Sequence, residues 1–402
     1  MRRSSFVLPM AALALAAATA LPASAEPAPR IDVQYAPAEI ARPGEYLVKV
    51  EDGASVDAVL SRARVRQTMS RWSHAPNGFA ARLSHRQLEL LRSDSRVVQI
   101  AQNVIIRNAP AKAEASAVQT DPGWALDRID QAALPLDGTF TANSTGAGVN
   151  VYIIDDGIDT SHPDFGGRAS TVYDPHGGNL TDECLAHGTG VAGVVGGERY
   201  GVAKQANLLS VRLNACGSGL TVDRFINAVS WVADNHQKPA VANISSNFIS
   251  DPWFNAVFSG WIRMAVNGLS DQGVFVAASA GNSDVDACTQ SPADALGAFA
   301  VGATDSTDTR APFSNWGTCV EIYAPGSNVD IPKAGGGYRT WGGTSFAAPY
   351  VAGVAALYKA TYGDAPSTTI GTWLTDNATP GVVNGNNTPG PTPNLLLNTG
   401  GL

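Results

Sequence analysis

Long apolar runs are what this 402-residue chain lacks once its first residues are passed, for no later segment reaches the ~18 apolar residues that a membrane-spanning helix needs. Charge is scarce too, at 15% of residues against 44% apolar. That balance excludes a disordered chain and supplies apolar material for a large core and more than one domain. There is no basic excess. With 27 Lys and Arg against 35 Asp and Glu the net charge is −8, and an acidic bulk disfavours binding to nucleic acid. Cysteine occurs only four times and never as Cys-x-x-Cys, which argues against a zinc site.

What is present begins with an export signal. Arg2 and Arg3 precede an apolar stretch from Phe6 to Leu21, and Ala23-Ser24-Ala25 forms a small-x-small cleavage site. Residues 1–25 therefore read as a signal peptide and the product as secreted, soluble and free of the membrane. Outside the cytoplasm, the even set Cys184, Cys216, Cys288 and Cys319 points to two disulfides. Three connectivities are open, and pairing in sequence order closes the shortest loops. Charge is split unevenly: residues 1–108 hold fourteen basic and nine acidic side chains, residues 109–402 thirteen and twenty-six. A basic N-terminal part should be attracted to an acidic remainder.

Strand patterns at "EYLVKV" (45–50), "NGFAARL" (77–83) and "RVVQI" (96–100) alternate with helical stretches at 56–65 and from Ser84, where Ser84 and Gln87 have capping-box spacing. The order β-α-β-α-β predicts a small α+β, ferredoxin-like open-faced sandwich over residues 26–112. Residues 108–116, rich in Ala, Pro and Lys without periodicity, read as an exposed linker and domain boundary. From 113 to 402 the pattern changes. The runs "VNVYII" (149–154), "LLSVRL" (208–213), "AVANIS" (240–245), "VFVAAS" (274–279) and "AFAVGA" (298–303) alternate with helix-length segments such as 222–235. Continuous apolar strands separated by helices predict an α/β, three-layer domain with a mostly parallel sheet, whose ligands sit beyond the carboxyl ends of the strands.

Four candidate chemical groups fall at such places. The first strand ends in Asp155-Asp156-Gly157, the two acids pointing to opposite faces; alone, Asp155 also reads as a turn or cap. His187 sits among small residues in "AHGTGVAGVVGG" (186–197), and Asn282 follows "VFVAAS" after Ala280-Gly281. Either could be an ordinary core or turn residue, although an amide placed like Asn282 can donate to a developing oxyanion. Ser345 lies in "WGGTSFAAPYVAG" (341–353), where Val351, Val354, Ala355 and Tyr358 predict a helix that tolerates Pro349 only near its start. Ser345 is then at a helix N-terminus, where unpaired N–H groups and the dipole favour the negative charge created by serine attack on a carbonyl. An N-cap serine is the competing reading. "GTSFA" does not fit Gly-x-Ser-x-Gly, which argues against a lipase-type hydrolase. "GTGVAG" (188–193) matches Gly-x-Gly-x-x-Gly, but no strand precedes it and no ribose-binding acid follows, so a nicotinamide oxidoreductase is a weak alternative.

With Asp155, His187 and Ser345 in this chain order, the sequence resembles the subtilisin-like serine proteases, particularly the proteinase K and aqualysin group. The resemblance spans nearly the whole chain: "NGFAARLS" and "SDSRVVQI" resemble the inhibitory propeptide, "WALDRIDQAALPLDG" the start of the mature enzymes, and "GTSFAAPYVAG" the block around the nucleophile. It implies a secreted endopeptidase acting on polypeptides as a monomer, made as a precursor whose own propeptide inhibits it. It further implies Ser345 as nucleophile, His187 as general base and acid, Asp155 as the partner orienting the imidazole, and Asn282 as oxyanion donor. Substrate would lie as an added strand between Gly217-Ser218-Gly219 and Ser245-Ser246-Asn247, with Ala278, Ser279, Ala280 and Gly281 walling the pocket before the scissile bond. By the same resemblance the disulfides are Cys184–Cys216 and Cys288–Cys319. Structural Ca²⁺ would be held by Asp127, Asp130, Gln131 and Asp137, and a second ion by the carbonyls of Leu296 and Ala298 with Glu321; no organic cofactor is implied. The chain departs from the family pattern in three places. Ser245-Ser246-Asn247-Phe248 stands where the family has Ser-Leu-Gly-Gly, Gly-Thr-Gly follows His187 in place of Gly-Thr-His, and Asp156 replaces a Thr or Ser. The altered second segment makes a catalytically silent binding protein of the same fold the rival reading.

Overall fold

The computed structural model describes residues 30–38, 41–73, 76–106, 122–177, 180–248 and 251–402. The expected signal peptide, 1–25, and the expected linker, 108–116, lie outside the described residues. The N-terminal part contains β1 (Val33–Gln34), β2 (Ala41–Val50), α1 (Val56–Ala63), β3 (Ser70–Trp72), β4 (Gly78–Arg82), α2 (His85–Arg92) and β5 (Val97–Ile106). Its sheet order β1-β5-β2-β4-β3, antiparallel apart from β1 on β5, is the ferredoxin-like arrangement. The sequence pattern β-α-β-α-β missed β3, three residues too short to show alternation. Both helix starts form as their caps dictate. Ser55 accepts from Ala58 N at 3.2 Å, and Ser84 and Gln87 close a reciprocal capping box.

Successive strand side chains face opposite ways, and here each face has its own core. Val48, Phe79 and Ile100 pack under the helices with Leu60, Leu88 and Leu91. Leu47, Trp72, Ala80, Ala101 and Val104 point away from the helices and join the core of the second part.

That part contains α3 (Trp124–Asp130), β6 (Asn150–Asp155), β7 (Ala169–Tyr173), α4 (Asp182–Gly196), β8 (Asn207–Arg212), β9 (Leu220–Thr221), α5 (Val222–Asn235), β10 (Ala240–Ile244), α6 (Pro252–Asp271), β11 (Phe275–Ser279), β12 (Ala298–Thr304), β13 (Ile322–Pro325), β14 (Val329–Pro332), β15 (Tyr338–Trp341), α7 (Thr344–Tyr362), α8 (Ser367–Asn377), β16 (Thr379–Pro380) and β17 (Leu395–Leu396). The large sheet runs β16-β17-β13-β12-β11-β10-β6-β8-β7, parallel throughout except for β16 on β17. Val151, Ile153, Val241 and Ala277 meet α4 and α7 on one face. Tyr152, Ile154, Ala242 and Val276 meet α5 and α6 on the other. This is the three-layer α/β architecture expected from the apolar runs. Strand order reverses between β6 and β10, so the cleft opens beyond the ends of those strands, where Asp155 lies. Among the described residues no helix is long and apolar enough to cross a membrane.

Candidate active site

Asp155 is the last residue of β6 and is 1% exposed. Its Oδ1 accepts from Asp156 N and from His187 Nδ1, each at 2.8 Å, while Oδ2 is buried without a partner. The turn-capping role and the histidine-orienting role thus share one oxygen. His187 lies in the second turn of α4, so the small-residue run that begins at Ala186 is helical from its start. The helix begins earlier, with Thr181 as N-cap and the acids Asp182 and Glu183 in its first turn.

The glycines after His187 are packing devices. A Cβ on Gly188 would stand 2.2 Å from the Gly157 carbonyl oxygen, and one on Gly193 2.1 Å from Pro332 Cδ. Lying within α4, "GTGVAG" brings that helix against its neighbours, so the dinucleotide reading fails for lack of a strand-to-helix turn. Burial disfavours the His187 imidazolium, but Asp155, through charge and hydrogen bond, and the charge of Asp156 outweigh it and hold its pKa above the usual value; Arg339 opposes them. Burial and the Asp155 charge in turn raise the Asp156 carboxyl, which also accepts from Asn214 Nδ2 at 3.0 Å.

Ser345 is the second residue of α7. Gly343, at φ 147°, is the N-cap, so the N-cap reading of the serine does not hold. Its hydroxyl, with one proton to give, donates to the Ser245 carbonyl at 3.2 Å, and Ser245 Oγ donates back to the Ser345 carbonyl at 2.7 Å. His187 reaches this turn through ring contacts, 5.5 Å from Phe346 and 5.9 Å edge-on from Trp341. Asn282 Oδ1 accepts from Thr344 N at 2.8 Å and from Thr344 Oγ1 at 2.9 Å, which leaves the amide N–H groups as the free donors beside the start of α7.

The two segments expected to take substrate lie near this centre: Gly217 and Ser218 line one cavity with Asp156, and Ser245 is bonded to Ser345. Ser218 bonds to the Ala215 carbonyl, and Arg224 ties Ser218 Oγ to the Gly219 carbonyl. The next residues, Leu220 and Thr221 of β9, pair antiparallel with Ile106 and Ile105 of β5, so the N-terminal part adds a strand beside Gly217–Gly219. Across the cleft, Asn247 is joined to Ser279, and Ala280 is fully buried. Gly281 has φ 108°, and a Cβ there would meet Asn315 and Gln290 at 2.2 Å. Sequence reasoning passed over Arg339, whose guanidinium lies 3.7 Å over the Trp341 ring and donates to Ala186 O, and over Thr344, which braces Asn282. A basic residue two before a Trp on a hairpin strand was the available signal.

Cys184–Cys216 and Cys288–Cys319 are both bonded. The calcium candidates fit in part. Asp127 serves Asp137 N and Gly138 N, Asp137 serves Thr139, and Gln131 bonds to Asp137 N and to the carbonyls of Ala133 and Pro135. Asp130 keeps one buried oxygen, Oδ1, unpartnered, and its carboxyl is raised, first by burial and then by Asp137 and Asp127. Leu296, Ala298 and Glu321 line one cavity of about 290 Å³, where burial raises the Glu321 carboxyl. Among the described residues no group of three or more His, Cys, Asp or Glu side chains is placed to hold a metal ion, so carbonyl and amide oxygens would have to complete either site.

Comparison with known proteins places this geometry in context. The subtilase family matches over residues 146–394. The extracellular serine proteinase of Thermus sp. (strain Rt41A) is 37% identical over 99% of this chain and 100% of its own. Alkaline serine exoprotease A of Vibrio alginolyticus is 45% identical over 73% of this chain, which spans about half of that relative, 53%. A crystal structure of a cold adapted subtilisin-like serine proteinase superposes with TM-score 0.63 at 42% identity, covering 69% of this chain and 97% of that one.

Proposed function

The chain belongs to the subtilase family and is a serine protease of subtilisin-like fold, and on that premise we propose that it is a secreted endopeptidase working through Asp155, His187 and Ser345, made as a precursor that cuts itself. The observation that carries the assignment is the 2.8 Å bond from His187 Nδ1 to the buried Asp155 carboxylate, which fixes the tautomer and leaves Nε2 as the base. A substrate carbonyl entering beside Ser345 displaces its hydroxyl from the Ser245 carbonyl. Oγ attacks the carbonyl carbon as its proton passes to His187 Nε2, and the charge on the carbonyl oxygen is met by Asn282 Nδ2 and the Ser345 N–H at the start of α7. Collapse breaks the C–N bond as His187 gives its proton to the leaving amine; water, deprotonated by His187, then attacks the serine ester, and the C–Oγ bond breaks as His187 passes that proton to Ser345 Oγ, which frees the acid and restores the hydroxyl.

Export is supported by the signal-like N-terminus, the two disulfides and the extracellular relative. The β5–β9 pairing supports an N-terminal part that occupies the cleft as inhibitor, with 26–112 as that part and 113–402 as the enzyme. A structural Ca²⁺ would sit beside Asp130 Oδ1, rigidifying the 127–137 segment without entering the reaction.

A serine-directed fluorophosphonate should label the wild-type protein and leave Ser345→Ala unlabelled, and that variant should remain uncut between 108 and 116. An unreactive wild-type protein would make it a silent binder of the same fold, and self-cleavage by purified Ser345→Ala would remove the serine from maturation.

A further inference from the structure

The two segments expected to wall the pocket before the scissile bond, 245–247 and 278–281, are tied together by a side chain. Parallel strands β10 and β11 end side by side, Ile244 opposite Ala278. Both continuations reach the nucleophile: Ser345 Oγ donates to Ser245 O at 3.2 Å, and Gly281 N donates to Thr344 Oγ1 at 3.1 Å. A carbonyl attacked by Ser345 with its oxygen at Asn282 therefore directs its own side chain into the slot between 245–247 and 279–281.

Asn247 bridges that slot. Its Nδ2 donates to the Ser279 carbonyl at 2.6 Å and its Oδ1 accepts from Ser279 Oγ at 2.5 Å. Neither end is free to yield. Ser279 is fully buried, and Phe248, 1% exposed, is locked on Phe225 and Phe254, with its N–H on Ser291 O. On the other side of Asn247, Ser245 is held by Asn243 and by the Ser345 carbonyl. A large side chain can enter only by expelling the carboxamide, which strands a buried hydroxyl and carbonyl without partners.

We propose that the Asn247–Ser279 bridge restricts this protease to small residues, Gly, Ala or Ser, on the acyl side of the cut bond. The proposal rests on the function given above. An occluded slot discriminates by clash and lost hydrogen bonds, which opposes every large side chain irrespective of its chemistry.

The test is kcat/KM of the mature enzyme on peptide p-nitroanilides that differ only in the residue before the scissile bond, Ala against Phe, with active sites counted by fluorophosphonate labelling. Wild type should favour Ala over Phe by roughly tenfold to a hundredfold, the range a steric pocket commands, and Asn247→Gly should shift that ratio at least tenfold toward Phe. Ser279→Ala, which removes one of the two bonds, should shift it in the same direction by less, and it decides the matter should Asn247→Gly not fold. A wild type that cleaves after Phe as readily as after Ala, or variants whose ratio stays within twofold of wild type, overturns the bridge as a specificity device while leaving the protease assignment standing. A wild type that neither labels nor cleaves overturns both.

Discussion

At the scale of single residues, the centre is a small electrostatic balance around one imidazole. Burial works against the charged form of His187, Asp155 and Asp156 work for it, and Arg339, stacked on Trp341 beside Ala186, works against it. In the proposed mechanism His187 must be neutral to take the serine proton, so kcat/KM should fall as pH drops through a pKa that these acids hold above the usual histidine value. Asp156→Asn removes a raising charge and should move that acid limb to lower pH. Arg339→Gln removes a lowering one and should move it to higher pH, each by something on the order of half a unit. Asp156 is itself half-buried beside Asp155, and its carboxyl is raised first by desolvation and then by that neighbour's charge, which limits its share. Rate profiles of the two variants check this, and limbs that do not move, or that move together, would sink the balance. Asp155, His187, Asn282 and Ser345 could be singled out as candidates from the sequence because each lies within two residues of a glycine, at a strand end or in a small-residue helix. Their partners could not. Arg339 finds Trp341 and Ala186 only through a hairpin folded back on α4, and Asn247 finds Ser279 only because β10 and β11 end in register.

At the scale of elements, the site depends on how closely α4 approaches the end of β6. Gly188 makes that approach possible, since a methyl group there would stand 2.2 Å from the Gly157 carbonyl and 3.2 Å from Asp155 Oδ1. Backbone cannot yield as a flexible side chain can, so Gly188→Ala should push the helix off the strand end and pull His187 from Asp155. A displacement near 1 Å costs about a hundredfold in kcat; the expected result is that loss with KM and the circular dichroism spectrum little changed, and a fully active Gly188→Ala would show the contact to be slack. The central strands were legible because strands buried on both faces read as unbroken apolar runs, and α7 because Val351, Val354, Ala355 and Tyr358 recur at helical spacing within a run long enough to be a helix buried on all sides. The start of α4 was not, since "TDECLAH" carries no apolar stripe and its signal is the cap Thr181 with two acids behind it. Strand β3 was missed because three residues cannot display a period, and the sheet order reversing at β6 and β10 depends on long-range packing that no local pattern encodes.

At the scale of the whole molecule, one sheet serves two cores. Odd and even residues of β2, β4 and β5 divide between the N-terminal helices and the second part of the chain, so that the outer face of the small sheet is buried by α5 and α6. Opposite net charges suggested that attraction would hold the two together, yet the contacts formed are more specific. Trp72, 2% exposed, donates from Nε1 to Asn227 Oδ1 at 2.6 Å and meets Trp261 edge-on at 6.0 Å, while Asn227 Nδ2 bonds to Ser70 Oγ. Asn103 reaches Asp223 at 2.9 Å, Gln99 reaches the Val257 carbonyl at 3.0 Å, and the seam ends in the β5–β9 pairing beside the cleft. A buried tryptophan with its N–H satisfied at the middle of such a seam has the properties of an interface hot spot. Trp72→Ala should therefore weaken retention of the cleaved N-terminal part by about 2–4 kcal/mol, a roughly 30- to 1000-fold loss of affinity. Activity should then appear almost together with cleavage of the precursor, whereas the wild-type protein, if processed as proposed, should show a lag while the cut segment remains in place. Since hydrogen bonds and apolar contacts are only weakly screened, raising the salt concentration should shorten the wild-type lag far less than the substitution does. A Trp72→Ala precursor whose lag matches wild type would mean that the small sheet is held by something other than this seam.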